Sequence, residues 1–325
     1  MIHNKFVIQN FQNLLTRITM NKKKIISTIV SKAICVAIVL FYYIFSSLII
    51  FLGVPNGKAI IDTVRYIIYG IASLIIIIVF LYMVIKVVGE MKFQKYVIDE
   101  LNSFGFRENL HDDFVKRRDK YKDKNELVYL EAVNYLGIEK YYNQDFQGVI
   151  DNFKEFDIAD YYEKHKLEKG KAQVNYLYVI CNMIDLLLSS YYKIGGMEEE
   201  AEKLYHYVIK IHDVYITKYA QLDATIIECK LMYAMIKKDY NEAKILLDLE
   251  KSKKDSLNQI AYLTNSVEYE YVMGTLTMEG LDKMKSDADE LIKKTVTKEY
   301  YRNVINNFYN NKVKELQEKA KLEET

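Results

Sequence analysis

The sequence has no tryptophan, one proline, twelve glycines and three cysteines in 325 residues. An all-β sandwich or barrel needs turn residues every few positions, and so little Pro and Gly excludes that class. Cys35, Cys181 and Cys229 are scattered, and Cys35 lies in an apolar run. That is not the framework of a disulfide-stapled module. Acids are missing from the start of the chain as well: no Asp or Glu precedes Asp62. Against these absences, half of the residues are hydrophobic, with 45 basic and 44 acidic side chains. A disordered chain is poor in apolar residues, so the sequence folds, and its length suits two or three domains.

The net charge of +1 hides an asymmetry. Residues 1–95 carry 11 Lys/Arg against Asp62 and Glu90, a net of +9, and residues 96–325 carry 34 bases against 42 acids, a net of −8. A basic, acid-free segment beside apolar runs fits an anionic membrane surface. The acidic bulk of the chain argues against a nucleic-acid partner.

Two runs without a single charge are long enough to cross a bilayer, Ala33 to Val54 and Tyr66 to Ile85. About 20 apolar residues span the hydrocarbon as a helix. The first run is too long and too late to read as a cleavable signal peptide. Pro55-Asn56-Gly57 between them is turn chemistry. The expected organisation is an amphipathic interfacial helix over 1–24, a transmembrane helix within 25–54, a short external loop over 55–65, and a second transmembrane helix over 66–88. Lys5, Arg17, Lys22, Lys23, Lys24 and Lys32 precede the first span and Lys86, Lys92 and Lys95 follow the second, while the loop holds only Lys58 and Arg65. The positive-inside rule then places both termini in the cytoplasm of a two-pass cell-membrane protein. Neither span contains Asp, Glu or His, so an anchor is the simplest reading, with a hydrophobically lined oligomeric pore as the alternative.

Residues 89–125 read as a charged connector, and within it Phe104 to Asn125, dense in charge, is expected to form an exposed connector or an irregular first helix. From 126 to 325 apolar residues recur at steps of three and four. Val174, Leu177, Cys181, Ile184, Leu188 and Tyr191 make one such stripe, and Tyr219, Leu222, Ile226, Cys229, Tyr233 and Ile236 make another. Each marks the buried face of a helix. Three segments are self-similar: 141–156, 192–208 and 235–250. In each, a polar turn leads to a small residue (Val149, Ala201, Ala243) and, one helical turn later, to a large one (Phe153, Tyr205, Leu247). The small residue lets two antiparallel helices approach.

This pattern, with Leu136-Gly137 ahead of Asp145-Phe146, resembles the tetratricopeptide repeat at the turn between its A and B helices. The small positions 149, 201 and 243 are more widely and less evenly spaced than the family's repeat allows, and its Trp and repeat-closing Pro are absent. The likeness is therefore to a degenerate, long-helix relative. It covers roughly Glu126 to Lys251, with a weaker fourth pair over Ser256 to Thr297. The resemblance implies an α-solenoid whose concave face binds a protein or peptide. The A helices would be about 126–143, 171–194, 216–238 and 256–275. Tyr178, Asn182, Asp185, Asp223 and Lys230, opposite the core stripes, would then be the partner-binding candidates. Tyr301, Ile305 and Phe308 open a final helix expected to cap the array.

No catalytic motif emerges. Glu202 and His206 share a helix face without a second ligand pair, Cys181 and Cys229 lie in apolar stripes, and Gly195-Gly196 is a helix-ending turn instead of a phosphate loop. No catalytic residue, cofactor or metal ligand is expected. The 29 tyrosines accompany Lys over Arg at 39 to 6, a bias of AT-rich coding that points to a low-GC bacterium. The sequence reads as all-α: an N-terminal transmembrane hairpin followed by a cytoplasmic α-solenoid, acting as a non-enzymatic scaffold or adaptor. Two other readings stay open, a membrane sensor or immunity factor acting through the hairpin, and an enzyme whose site is assembled from distant helices.

Overall fold

The computed structural model describes residues 43–50, 52, 55–166, 170–215, 223–253 and 256–323, and among them every regular element is helical. They divide into two compact units, one ending at Gln94 and the other starting at Lys95. The expected interfacial helix over 1–24 and most of the first expected span lie outside the described residues.

In the first unit, residues 43–50 are helical, Pro55 and Asn56 form a turn with Asn56 at φ 59°, and helix α1 runs Gly57–Ser103. The expected loop over 55–65 is thus only a tight turn at Pro55-Asn56. Nothing in Lys58 to Arg65 breaks a helix, and Asp62 pairs with Arg65 one turn on at 2.8 Å. Among the described residues α1 is the one helix long and apolar enough to cross a membrane. From Tyr66 to Ile85 none of its described side chains is buried.

In the second unit the end of α1 buries Val97 and Leu101. Of the two readings of the charged stretch before 126, the helical one holds: α2 (Glu108–Tyr121) is a packed helix that lies on α3 (Glu126–Tyr142), not an exposed connector. Leu110 and Phe114, one turn apart, are its anchors, and the Phe114 ring stacks on Tyr135 at 4.3 Å between centroids. Two buried side chains suffice to dock a helix that is otherwise charged.

Helical hairpins follow. Helix α3 pairs with α4 (Phe146–Phe153), α6 (Lys171–Ile194) with α7 (Glu198–Tyr215), α8 (Asp223–Ile236) with α9 (Tyr240–Lys251), and α10 (Ser256–Val272) with α11 (Met278–Ile292). A short α5 (Ile158–His165) lies on α6 and α7. The first helices of neighbouring hairpins touch, α3 on α6 and α6 on α8, and α4, α7 and α9 each also meet the next first helix. That nearest-neighbour pattern is compatible with a helical-repeat solenoid.

The self-similarity extends to the backbone. Gln144 (φ 62°), Lys238 (φ 57°) and Gly274 (φ 70°) each end the first helix of a hairpin in the left-handed region. The following N–H then reaches back past a full turn in all three, Asp145 to the Lys140 carbonyl, Asp239 to Ala234 and Thr275 to Glu270, each at 2.9 Å. This is the Schellman closure, which satisfies carbonyls the helix end leaves free. Asp145 and Asp239 next cap the second helix, accepting from Gly148 N at 2.8 Å and Glu242 N at 3.1 Å. Val149, Ala201 and Ala243, the three small positions, have no exposed surface. At Gly137 the close approach is visible directly, since a Cβ there would sit 2.4 Å from the Phe153 ring.

The chain ends in α12 (Lys298–Glu323), which buries Tyr300, Tyr301 and Ile305. It packs on α11, and its first residue donates from Lys298 N to Asn102 Oδ1 at 3.2 Å.

Candidate functional site

Three of the first helices bring unusual residues inward. Almost the whole circumference of α6 is buried: every residue from Gln173 to Tyr191 except Tyr176. Its apolar stripe is covered, and so are Asn182, Asp185, Ser189 and Ser190. On α8, Glu228 is 7 % exposed inside the run IIECKLM, and on α10 Glu268 is 5 % exposed. Lys312 of α12 is 3 % exposed.

These groups surround a cavity of about 210 Å³ lined from α3, α6, α8, α10 and α12. Its walls carry two different kinds of chemistry. On one side Glu268 is neutralised: it pairs with Lys193, and Lys312 Nζ approaches its other oxygen at 2.9 Å while also pairing with Glu315. Burial pushes the Glu268 carboxyl up, but the two lysines outweigh it and hold it below the ordinary range. The Lys312 ammonium also lies 4.2 Å from the centroid of the Tyr271 ring.

On the other side, burial raises Asp185 well above the usual carboxylate range, and repulsion from Glu228 and Glu250 adds to it. Glu250, on α9, is pushed up to about 8, chiefly by burial and then by Glu228, although Asn265 Nδ2 lies 3.2 Å from each of its oxygens. Tyrosines complete the cavity. Tyr142 meets Tyr300 edge-on at 5.2 Å, and burial pushes the Tyr142 hydroxyl up to about 12.

Of the five residues expected on an open concave face, only Asp185 lines this cavity. Asn182 has no exposed surface and Tyr178 is 9 % exposed, so neither is presented to solvent. Asp223 and Lys230 are half-buried, and Asp223 pairs with Lys253. The reason is physical: the face opposite the core stripe is free only if a helix has one packed side, and α6 is packed all round. Glu228, Glu268 and Lys312 were not singled out from the sequence. The signal was there for Glu228, a lone acid within an apolar run of a predicted buried helix.

The remaining chemistry-bearing groups are structural. Burial pushes the Cys181 thiol up to about 12, and the Cys229 thiol, also raised chiefly by burial, lies 3.6 Å from the Cys181 carbonyl. Neither is a thiolate nucleophile in that setting. Glu202 bonds the Tyr233 hydroxyl and lies 3.5 Å from Lys237. Among the described residues no trio of His, Cys, Asp or Glu is placed to hold a metal ion. Comparison of the chain with protein-family models, with curated proteins and with solved structures gives no match.

Proposed function

We propose that this is a non-enzymatic scaffold tethered to a membrane by two spans, with a cytoplasmic tetratricopeptide-like repeat domain that binds a protein or peptide. One observation carries the tether: the uncharged Tyr66–Ile85 stretch of α1 has none of its described side chains buried, in a protein whose other long apolar helix, α6, is covered almost completely. Water does not tolerate an unbroken apolar cylinder of that length, and lipid does. The second span is the uncharged run Ala33 to Val54, and the orientation follows from the basic residues flanking both runs. The shared hairpin turn and the small contact positions support the repeat assignment, and stacked hairpins supply the extended surface that peptide recognition uses.

The experiment is cysteine labelling in intact cells, joined to capture of cross-linked partners from native membranes. A cysteine at Asn56 should react with an impermeant maleimide, and one at Lys244 only after permeabilisation. A protein released by salt or alkali without detergent, or the reverse labelling, removes the tether. A repeat domain that cross-links to no protein or peptide removes the scaffold.

A further inference from the structure

The cavity between the first helices of the hairpins and α12 is built unevenly, and the unevenness specifies a ligand. Its wall carries four carboxylates, Asp185, Glu228, Glu268 and Glu315, and only two cationic side chains, Lys193 and Lys312. Both lysines are already engaged by Glu268, and Lys312 by Glu315 as well. Where the protein supplies its own counter-charge, a buried carboxylate is compensated. Asp185 is different: it is 9 % exposed, it lines the cavity, and it makes no hydrogen bond or ion pair with any described residue.

A buried carboxylate without a partner is costly, and a second one close enough to repel it adds to the cost. A core designed only for stability would carry leucine or asparagine there. A cation arriving in the cavity removes the cost. A metal ion is a poor fit, since no trio of ligating side chains stands together among the described residues. An organic cation fits better, because Tyr141, Tyr142 and Tyr300 line the same cavity and offer both ring surface and hydroxyls. Carboxylates and phenol oxygens are hydrogen-bond acceptors, which favours a cation bearing N–H donors over a quaternary one.

We propose that this cavity is a binding site for the primary ammonium group of a small aliphatic amine, held by Asp185 and Glu228 and enclosed by the cavity's tyrosines. Amine binding here is independent of the membrane tether and of the protein partner. The neighbouring Lys193–Glu268–Lys312 cluster stays intact.

The test uses the full chain, purified in detergent and titrated with putrescine by calorimetry and thermal shift. Sodium chloride at matched ionic strength, and choline as a cation without N–H donors, are the controls. Saturable one-to-one binding of putrescine is expected, with choline at least tenfold weaker. Asp185→Asn should weaken putrescine at least tenfold while the free protein melts at the same temperature or higher, because a buried acid without a hydrogen-bond or ion-pair partner has been removed. Glu290→Gln, on an exposed turn of α11, should change nothing. If Asp185→Asn fails to fold, Glu228→Gln takes its place, with putrescine weakened at least tenfold in a variant that still folds. No response to putrescine beyond that to sodium chloride, choline binding as tightly, or a folded Asp185→Asn or Glu228→Gln that binds as the wild type does, would each overturn the assignment.

Discussion

Helix α6 and the Tyr66–Ile85 stretch of α1 are both apolar around most of their circumference, yet one is covered by protein and the other is bare. Gln173 to Tyr191 is enclosed by α3, α4, α5, α7 and α8, whereas Ile71, Leu74, Ile77, Ile78, Phe80 and Leu81 are each more than half exposed. The difference lies in the few polar residues. Helix α6 carries Asn175, Asn182, Asp185, Ser189 and Ser190 within its buried length; Ser190 Oγ donates to the Leu186 carbonyl at 2.7 Å, and Asp185 and Ser189 line the cavity. The α1 stretch carries only Ser73 and a few tyrosine and methionine side chains of weak polar character. Total hydrophobicity does not separate the covered helix from the bare one. The placing of groups that need a partner does.

The sharpest way to break this comparison is to put the same charge into both. Leu188→Arg, at a position with no exposed surface, should abolish folding of the repeat unit, since an unpaired buried charge costs more than a domain's usual margin of about 5–15 kcal/mol can bear alongside the lost packing. Ile77→Arg, 54 % exposed, should leave the melting of the repeat unit unchanged and weaken membrane retention by about 2.5–3.5 kcal/mol on an insertion scale. Circular dichroism and membrane fractionation read the two separately. Equal loss of fold in both variants would erase the distinction between the helices.

Next in size is the neutralised wall of the cavity. Lys312→Ala leaves the nearly buried Glu268 with only Lys193, and breaking such a pair costs about 3–5 kcal/mol. A loss of unfolding free energy, read by denaturant titration, of less than about 1 kcal/mol, the scale of an exposed pair, would mean the cluster is not compensated as described.

The hairpin contacts come third. Ala201→Leu and Ala243→Leu should each cost about 1–3 kcal/mol by overpacking, because neither alanine has any exposed surface. The two variants should be additive, since they lie in different hairpins.

Acidity provides a fourth measurement. Asp185 and Glu250 titrate higher in the folded protein than in the unfolded chain, chiefly through burial. The native state therefore holds protons the unfolded chain has released, and stability falls as pH rises from about 4.5 through about 8. Glu126 works the other way: His165, whose Nε2 lies 3.4 Å from its carboxylate, acts first, opposed by burial and then aided by Lys164, and lowers it to about 2. Its contribution is complete above the unfolded value and is lost as pH falls toward 2. The melting temperature should peak between these windows and drop by roughly 3–10 °C toward pH 8. Asp185→Asn should flatten the alkaline side. A flat profile in the wild type would contradict the burial of both acids.

The smallest expected effect is a gain. Lys238 adopts the left-handed conformation at φ 57°, and Lys238→Gly should relieve about 1 kcal/mol of that strain, less the entropy glycine adds to the unfolded chain. Thermal melts of the two proteins side by side measure it.

Much of the repeat unit was legible in periodicity. The first helices expected at 126–143, 171–194 and 256–275 are found at Glu126–Tyr142, Lys171–Ile194 and Ser256–Val272. The small positions 149, 201 and 243 could be read because a close helix contact permits few residue types. Helix α2 was legible only as one of two alternatives, because Leu110 and Phe114 are two anchors among charged neighbours, too few for a stripe. The cavity was hidden for a different reason. A stripe tells which side of a helix is covered but not whether the other side is covered too, and it does not tell what covers it. Only in three dimensions does α12 bring Tyr300 beside Tyr142 and Lys312 beside Glu268.

That last helix changes how the array should come apart. Stacked repeats normally unzip from a free end, one hairpin at a time, because each touches only its neighbours. Here α12 touches Asn102 and Tyr142 at the start of the unit and Glu268 and Asp282 near its finish. Pulled from the C-terminus, the protein should yield in one step at the release of α12, followed by low-force unravelling of hairpins that have lost their clasp. On the ribosome the order is reversed. The hairpins emerge first with their carboxylates open to water, and the interior is sealed only once α12 itself has left the exit tunnel.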